Sequence, residues 1–205
     1  MPLTLLVALA AISWQVAVHG PLLGLDTTAQ RAVHGLHHRL HSPALDRFGV
    51  LLADLGGSVP AIPALLGLAG LAAWREWRTG VRRWWLPLPT AALAAVLIPA
   101  LVVPAKSWFA RPGPLGLPLT PDQWGWYPSG HTATSAIAYG VGALLLGRTV
   151  AVAARRWLHT ATALLCLGVG TGLVWSDFHW LLDVTASWCL AGVVLWSLNR
   201  WAGRR

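Results

Sequence analysis

The amino-acid sequence predicts an all-α, polytopic membrane protein, with six transmembrane helices, an additional extracytoplasmic interfacial helix and one membrane-embedded domain over residues 1–205. Hydrophobic residues make up 56% of the chain, charged ones 11%, and mean hydropathy is +0.57, which is too apolar for an ordinary soluble domain. Fourteen Trp stand against three Phe and two Tyr. Amphipathic indoles favour the membrane–water boundary, so the Trp clusters are expected at span ends. Runs of mostly apolar residues, about 20 long as a hydrocarbon crossing requires, recur along the whole chain.

The first run, 2–19, begins MPLTLLVALAAISW. It lacks a basic leader and a small-x-small cleavage site, and is therefore read as a retained helix rather than a signal peptide. The second and third, 58–74 and 84–105, carry Pro60 and Pro63, then Pro87, Pro89 and Pro99, where kinks are expected if neighbouring helices re-satisfy the backbone. The last three are 130–147, 157–176 and 180–199. Cys166 and Cys189 lie inside apolar runs with neither a disulfide framework nor metal-ligand spacing.

Six spans put both termini on one side. That side holds ten basic residues (Arg75, Arg78, Arg82, Arg83, Arg148, Arg155, Arg156, Arg200, Arg204 and Arg205), and the other holds five (Arg31, Arg39, Arg47, Lys106 and Arg111). The positive-inside rule then makes the termini cytoplasmic. Glu76 is the lone acid on the cytoplasmic side, while Asp26, Asp46, Asp54, Asp122, Asp177 and Asp183 fall outside or at the outer boundary.

Two outer loops are long. Residues 20–57 include TAQRAVHGLHHRLHSP, where Thr27 and Gln30 suggest a capping box and Pro43 a helix stop after His41. His34, His37, His38 and His41 share one helical face. That face is expected to turn its histidines toward headgroups, as surface amphipathic helices do, with a metal site as the alternative. The second loop, KSWFARPGPLGLPLTPDQWGWYP at 106–128, is too rich in Pro and Gly for regular structure.

Three polar clusters, far apart in sequence, are expected at the same leaflet. Lys106 and Arg111 follow the outer end of the third span, Ser129-Gly130-His131 opens the fourth, and His179 with Asp183 sits between the fifth and sixth. Asp183 lies four residues after His179, so it can hold one ring nitrogen and leave the other basic. Ionisable groups at membrane depth are costly and point to function. In YPSGHTATS, Gly130 lets a ligand approach the backbone, and the first amides of the following helix are open to an anion. Asp177, nearer the water, is expected to cap or solvate the turn.

These motifs, KSWFARPGP at 106–114, PSGH at 128–131 and HWLLD at 179–183, resemble the type 2 phosphatidic acid phosphatase superfamily over about residues 45–199. That superfamily includes lipid phosphate phosphatases, undecaprenyl pyrophosphate phosphatases and vanadium haloperoxidases. The resemblance implies that His179 is the nucleophile forming a phosphohistidine, that Asp183 orients it and that His131 protonates the leaving group. It further implies that Lys106, Arg111, Ser129 and the Gly130 amide hold the phosphoryl oxygens. No metal and no cofactor is implied. The expected partners are a lipid phosphate substrate and membrane lipids, with no nucleic acid, and the oligomeric state is open.

Two departures stand out: the family's Arg seven residues after the Lys is here Gly113, and its Arg six residues before the nucleophile is Leu173. The reading is an integral membrane phosphatase acting on a lipid-linked phosphate monoester or diphosphate at the outer face of the cytoplasmic membrane. Its alternative is an impaired relative that binds a phospholipid or isoprenoid phosphate headgroup without turnover. Haloperoxidase activity is disfavoured, because this small chain lacks the extended soluble scaffold of those enzymes.

Overall fold

The computed structural model describes residues 2–116, 119–120 and 123–203, with the side chains of 202–203 left aside. Asp122, Arg204 and Arg205, which figure in the charge reading, lie outside the described residues. Among the described residues eight α-helices follow one another: α1 (Pro2–Ala17), α2 (Gly24–Leu40), α3 (Pro43–Asp54), α4 (Ser58–Arg78), α5 (Pro87–Phe109), α6 (Gly130–Gly147), α7 (Val152–Trp175) and α8 (Leu181–Gly203). Six of them fall where the apolar runs were read as spans.

Four helices, α4, α5, α7 and α8, are each long and apolar enough to cross a membrane. Helix α1 is shorter and continues through a 92° bend into the segment Pro21–Leu40. Helix α6 is the central element, packed against α4, α5, α7 and α8. Twelve of its 18 residues are buried, among them Thr132, Thr134 and Ser135. Its polarity is tolerated because protein surrounds it; the Ser135 hydroxyl donates to the Thr132 carbonyl and the Thr132 hydroxyl to Ser129 Oγ. Apolar side chains elsewhere point outward, including Leu3, Val59, Val96 and Leu164, as a lipid solvent permits. Exposed tryptophans mark helix ends: Trp14 closes α1, Trp74 and Trp77 close α4, Trp84 and Trp85 precede α5, and Trp108 closes it.

The segment 20–57 differs from the expectation of one interfacial helix. After Pro21–Leu23 it folds as two helices, α2 and α3. Pro43 does not merely stop α2; with Ser42 before it, it starts α3 at the position where proline suits a helix. The expected capping box is also absent, since α2 already begins at Gly24 and the Thr27 hydroxyl donates back to the Gly24 carbonyl. Gln30 instead donates to the Pro114 carbonyl and to Asp177.

The small residues of α7 serve contacts within this chain. A Cβ on Gly172 would come 2.9 Å from the Leu52 Cβ and 3.1 Å from the Ala53 amide, and one on Gly168 would come 3.3 Å from Leu52. Helix α3 thus lies almost backbone to backbone on α7. This packing brings the C-terminal end of α3 to the same end of the bundle as the C-terminus of α5, the start of α6 and the α7–α8 turn.

Candidate active site

Chain chemistry places each polar group before any reaction is considered. Helix α7 ends at Trp175, and Asp177 takes a left-handed φ of +53°, a conformation that Asp tolerates better than most residues. The turn closes as the Phe178 and His179 amides donate to the Leu173 carbonyl at 2.9 and 3.2 Å. Asp177 takes hydrogen bonds from His34 at 2.8 Å and Gln30 at 3.3 Å, so its part is to join α2 to the turn.

His179 precedes α8 and is only 7% exposed. Its Nδ1 lies 3.2 Å from Asp183 Oδ2, the expected orienting pair. The same oxygen accepts the Trp180 amide at 3.3 Å, and Asp183 Oδ1 accepts Arg111 Nη1. Asp183 is fully buried with both oxygens engaged. Burial pushes the His179 ring below the ordinary histidine range, against the raising influence of Asp183; Lys106 and His131 push the same way as burial. Burial thus favours the neutral form of the His179 ring.

Ser129 caps α6: its hydroxyl accepts the Thr132 amide at 3.3 Å and the Thr132 hydroxyl at 2.9 Å. It is completely buried, with its amide on the Asp183 carbonyl and its own carbonyl taking Ser187 Oγ. This ties the start of α6 to the first turn of α8. Ser129 and Thr132–Ala133 satisfy one another, whereas the Gly130 and His131 amides take no partner among the described residues. They form the open, partially positive end of the helix.

Lys106 donates to the Gly125 carbonyl at 2.8 Å and more loosely to the Trp126 carbonyl. Gly125 is required there, because a Cβ would lie 2.6 Å from the Arg111 amide. Tyr127 anchors the end of the same loop: its hydroxyl sits 2.7 Å from Ser13 Oγ of α1 and its ring edge meets Phe109.

Three cavities open around these groups. The largest, about 690 Å³, is lined by His131, His179, Asp54, Leu173, Gly113 and Trp126. A second, about 490 Å³, runs between α4, α5 and α6 past Ile62 and Val102 to Lys106, Gly130 and His131. His131 is exposed and borders both. The third, about 550 Å³, is lined by Arg111, Trp180, Phe109 and Val16 and reaches neither His131 nor His179.

Arg111 therefore reaches the site from another side. It is buried, with Nη1 on Asp183 and Nη2 on Asp26, and its guanidinium lies 5.5 Å from the Trp180 ring centre. Asp26 had been placed only as an outer acid; in the structure it is 2% exposed and also accepts the Leu182 amide at 2.8 Å. The two positions that depart from the family pattern are filled by packing. A Cβ at Gly113 would lie 2.7 to 3.0 Å from the Trp126 indole, and Leu173 is a core residue beside Ala53, Val169 and Val184.

The expected histidine face of α2 also differs. His34 meets Asp177, and His37 packs edge-on against Trp175 at 4.1 Å and approaches Asp46, so two of the four histidines turn toward protein. Among the described residues no group of three or more His, Cys, Asp or Glu is arranged to hold a metal.

A carboxylate-held histidine, a second histidine, a lysine and an open helix start are thus gathered at one end of an all-α bundle. The PAP2 superfamily model matches residues 84–205, which span all three motifs, and the chain belongs to that superfamily. No curated relative matches it by sequence. In structure it is similar to the transmembrane PAP2-type phosphatidylglycerolphosphate phosphatase from Bacillus subtilis, with a TM-score of 0.80 and 19% identity over 99% of this chain and 96% of that one. At that identity the likeness establishes the fold. Family membership supports phosphatase activity, and the apolar helices with the shared fold support a multi-pass membrane setting.

Proposed function

We propose that this protein is a metal-independent integral membrane phosphatase that hydrolyses a lipid-linked phosphate monoester or diphosphate through a phosphohistidine on His179. The observation that carries the reading is the His179–Asp183 contact at the wall of the cavity that His131 also lines. With Nδ1 held by Asp183, Nε2 attacks phosphorus; the N–P bond forms as the P–O bond to the lipid breaks, and His131 gives the leaving oxygen its proton. Water then attacks the phosphohistidine, His131 accepts its proton, and inorganic phosphate departs.

Lys106 and the Gly130 and His131 amides stabilise the charge on the transferring group. Ser129 acts by fixing the helix start, and Arg111 contributes its charge through Asp183. Six spans, cytoplasmic termini and an outer-face site agree with the basic residues Arg75, Arg78, Arg148 and Arg155 lying at the end of the bundle away from His179. A lipid substrate suits a site whose second cavity is lined by Ile62, Ile98 and Val102 and ends at Lys106.

Arg111 held between two carboxylates, with no guanidinium at positions 113 and 173, favours a second reading: a relative that binds a phosphate headgroup without turnover. Phosphate release by detergent-purified protein, with chelator, from phosphatidic acid, phosphatidylglycerol phosphate and polyprenyl phosphates separates the two. Release lost in His179→Ala supports the phosphatase. Lipid binding without release above that variant supports the second reading.

A further inference from the structure

The Asp26 carboxylate is an unusual neighbour for a phosphate site, and nothing in the three motifs accounts for it. It lies in the first turn of α2, outside the residues matched by the family model, and is nearly inaccessible to solvent. One of its oxygens takes the Leu182 amide, adjacent to Asp183 in the chain, and the other takes Nη2 of Arg111. Arg111 Nη1 goes to Oδ1 of Asp183, while Oδ2 of Asp183 is left for His179 Nδ1 and the Trp180 amide. The four groups form a closed ring: Asp26, Arg111, Asp183 and the backbone at Leu182.

Guanidinium and carboxylate prefer the bidentate fork, two parallel hydrogen bonds between one arginine and one carboxylate. Here that fork is opened, because Asp26 claims the second terminal nitrogen. Without that claim, Arg111 is free to take both oxygens of Asp183, and Oδ2 is then shared away from His179. Trp180 borders the same guanidinium, its ring centre 5.5 Å from Arg111 Cζ, and its Nε1 donates to the Pro112 carbonyl at 2.9 Å.

We infer that Asp26 is a positioning residue for the reaction: by holding Arg111 Nη2 and the Leu182 amide, it confines Arg111 to Oδ1 of Asp183 and reserves Oδ2 for His179. The inference rests on the phosphatase reading for its kinetic consequence, but its geometric content is independent of turnover.

The test uses the full-length protein in detergent and two readouts. The first is kinetic, with Asp26→Asn introduced into the native chain and into an Arg111→Met background. Asparagine keeps the shape and the acceptor for Leu182 but loosens the hold on Arg111. The expected result is a fall in kcat of about 10- to 100-fold, the scale of a small misplacement of reacting groups, with KM within about threefold. In Arg111→Met the same change moves kcat less than about twofold, because Asp26 acts through Arg111. The second readout is the His179 Nδ1–H proton resonance, identified by its loss in His179→Ala. It is expected far downfield in the native protein and displaced upfield in Asp26→Asn. Asp26→Ser, which leaves room for water at the Leu182 amide, serves if Asp26→Asn does not fold.

An unchanged resonance, or equal losses of kcat in both backgrounds, overturns the inference. Absence of His179-dependent release from the native protein overturns the phosphatase reading instead, and the resonance still decides the role of Asp26.

Discussion

His179 and Asp183 lie almost wholly inside the protein, with the nucleophile candidate aimed by a carboxylate whose every oxygen is engaged. His131, which lines the same cavity, is exposed, and its ring takes no hydrogen bond among the described residues. The contrast follows from where each sits. His179 is trapped in a turn between two packed helices, and α2 covers the turn from outside through Gln30 and His34. His131 is the second residue of a helix whose cap, Ser129, is buried but whose first amides face two cavities. A group that must stay neutral and aimed benefits from burial and a fixed partner. A group that must exchange protons with a leaving oxygen and with water benefits from access to both.

The largest way to break this contrast is to remove the buried partner. Asp183→Ala is expected to lower kcat on the order of 10⁴-fold, as losing the orienting acid of a catalytic histidine does. It is also expected to destabilise the fold by about 3–5 kcal/mol, because Arg111 Nη1, the His179 ring and the Trp180 amide are left buried without their shared acceptor. Phosphate-release kinetics and thermal unfolding in detergent measure the two effects. His131→Ala is expected to cost about 10²- to 10⁴-fold, the range for a lost general acid, with little change in unfolding temperature. Its loss should shrink for a nitrophenyl phosphate, whose leaving group needs no proton, whereas the Asp183→Ala loss should persist.

Lys106→Met removes one charge-assisted contact of roughly 1.5–3 kcal/mol, or about 10- to 150-fold in kcat/KM. His179 titrates below the ordinary histidine value because burial disfavours its charged form. The rate should therefore rise with pH through that lowered value, so the acid limb of kcat/KM lies below about 6.5. Stability follows the same sign: the unfolded chain binds the proton more tightly, so stability from this ring is present above the unfolded pKa and is lost as pH falls through the folded one. Unfolding temperature measured between pH 7 and 5 checks this.

Much of this site was legible from local spacing. The i,i+4 relation of His179 and Asp183 and the Ser-Gly-His helix start are short-range signals, and both geometries are present. The apolar runs located six of the helices, although α5 extends to Phe109 and α7 begins already at Val152. Asp26 was not legible as part of the site, because its partner Arg111 is 85 residues away and neither residue carries a periodic signal that links them. The direction of Arg111 was hidden for the same reason: its motif places it near the site, but only the fold shows which groups it faces. Helix α3 does carry a local signal, since Ser42-Pro43 is a helix start as well as a helix stop. The packing reason for Gly113 depends on Trp126, which returns to it only through the loop fold.

In the proposed reaction Nε2 of His179 becomes covalently bonded to phosphorus while Asp183 holds Nδ1. That bond is tested most directly by rapid quenching of the purified protein with a ³²P-labelled lipid phosphate, followed by peptide mapping under alkaline conditions that preserve phosphohistidine. The account predicts an acid-labile, alkali-stable label on the peptide containing His179, formed and lost at the rate of turnover and absent in His179→Ala. Turnover with no label on that peptide, or label on another residue at the turnover rate, contradicts it.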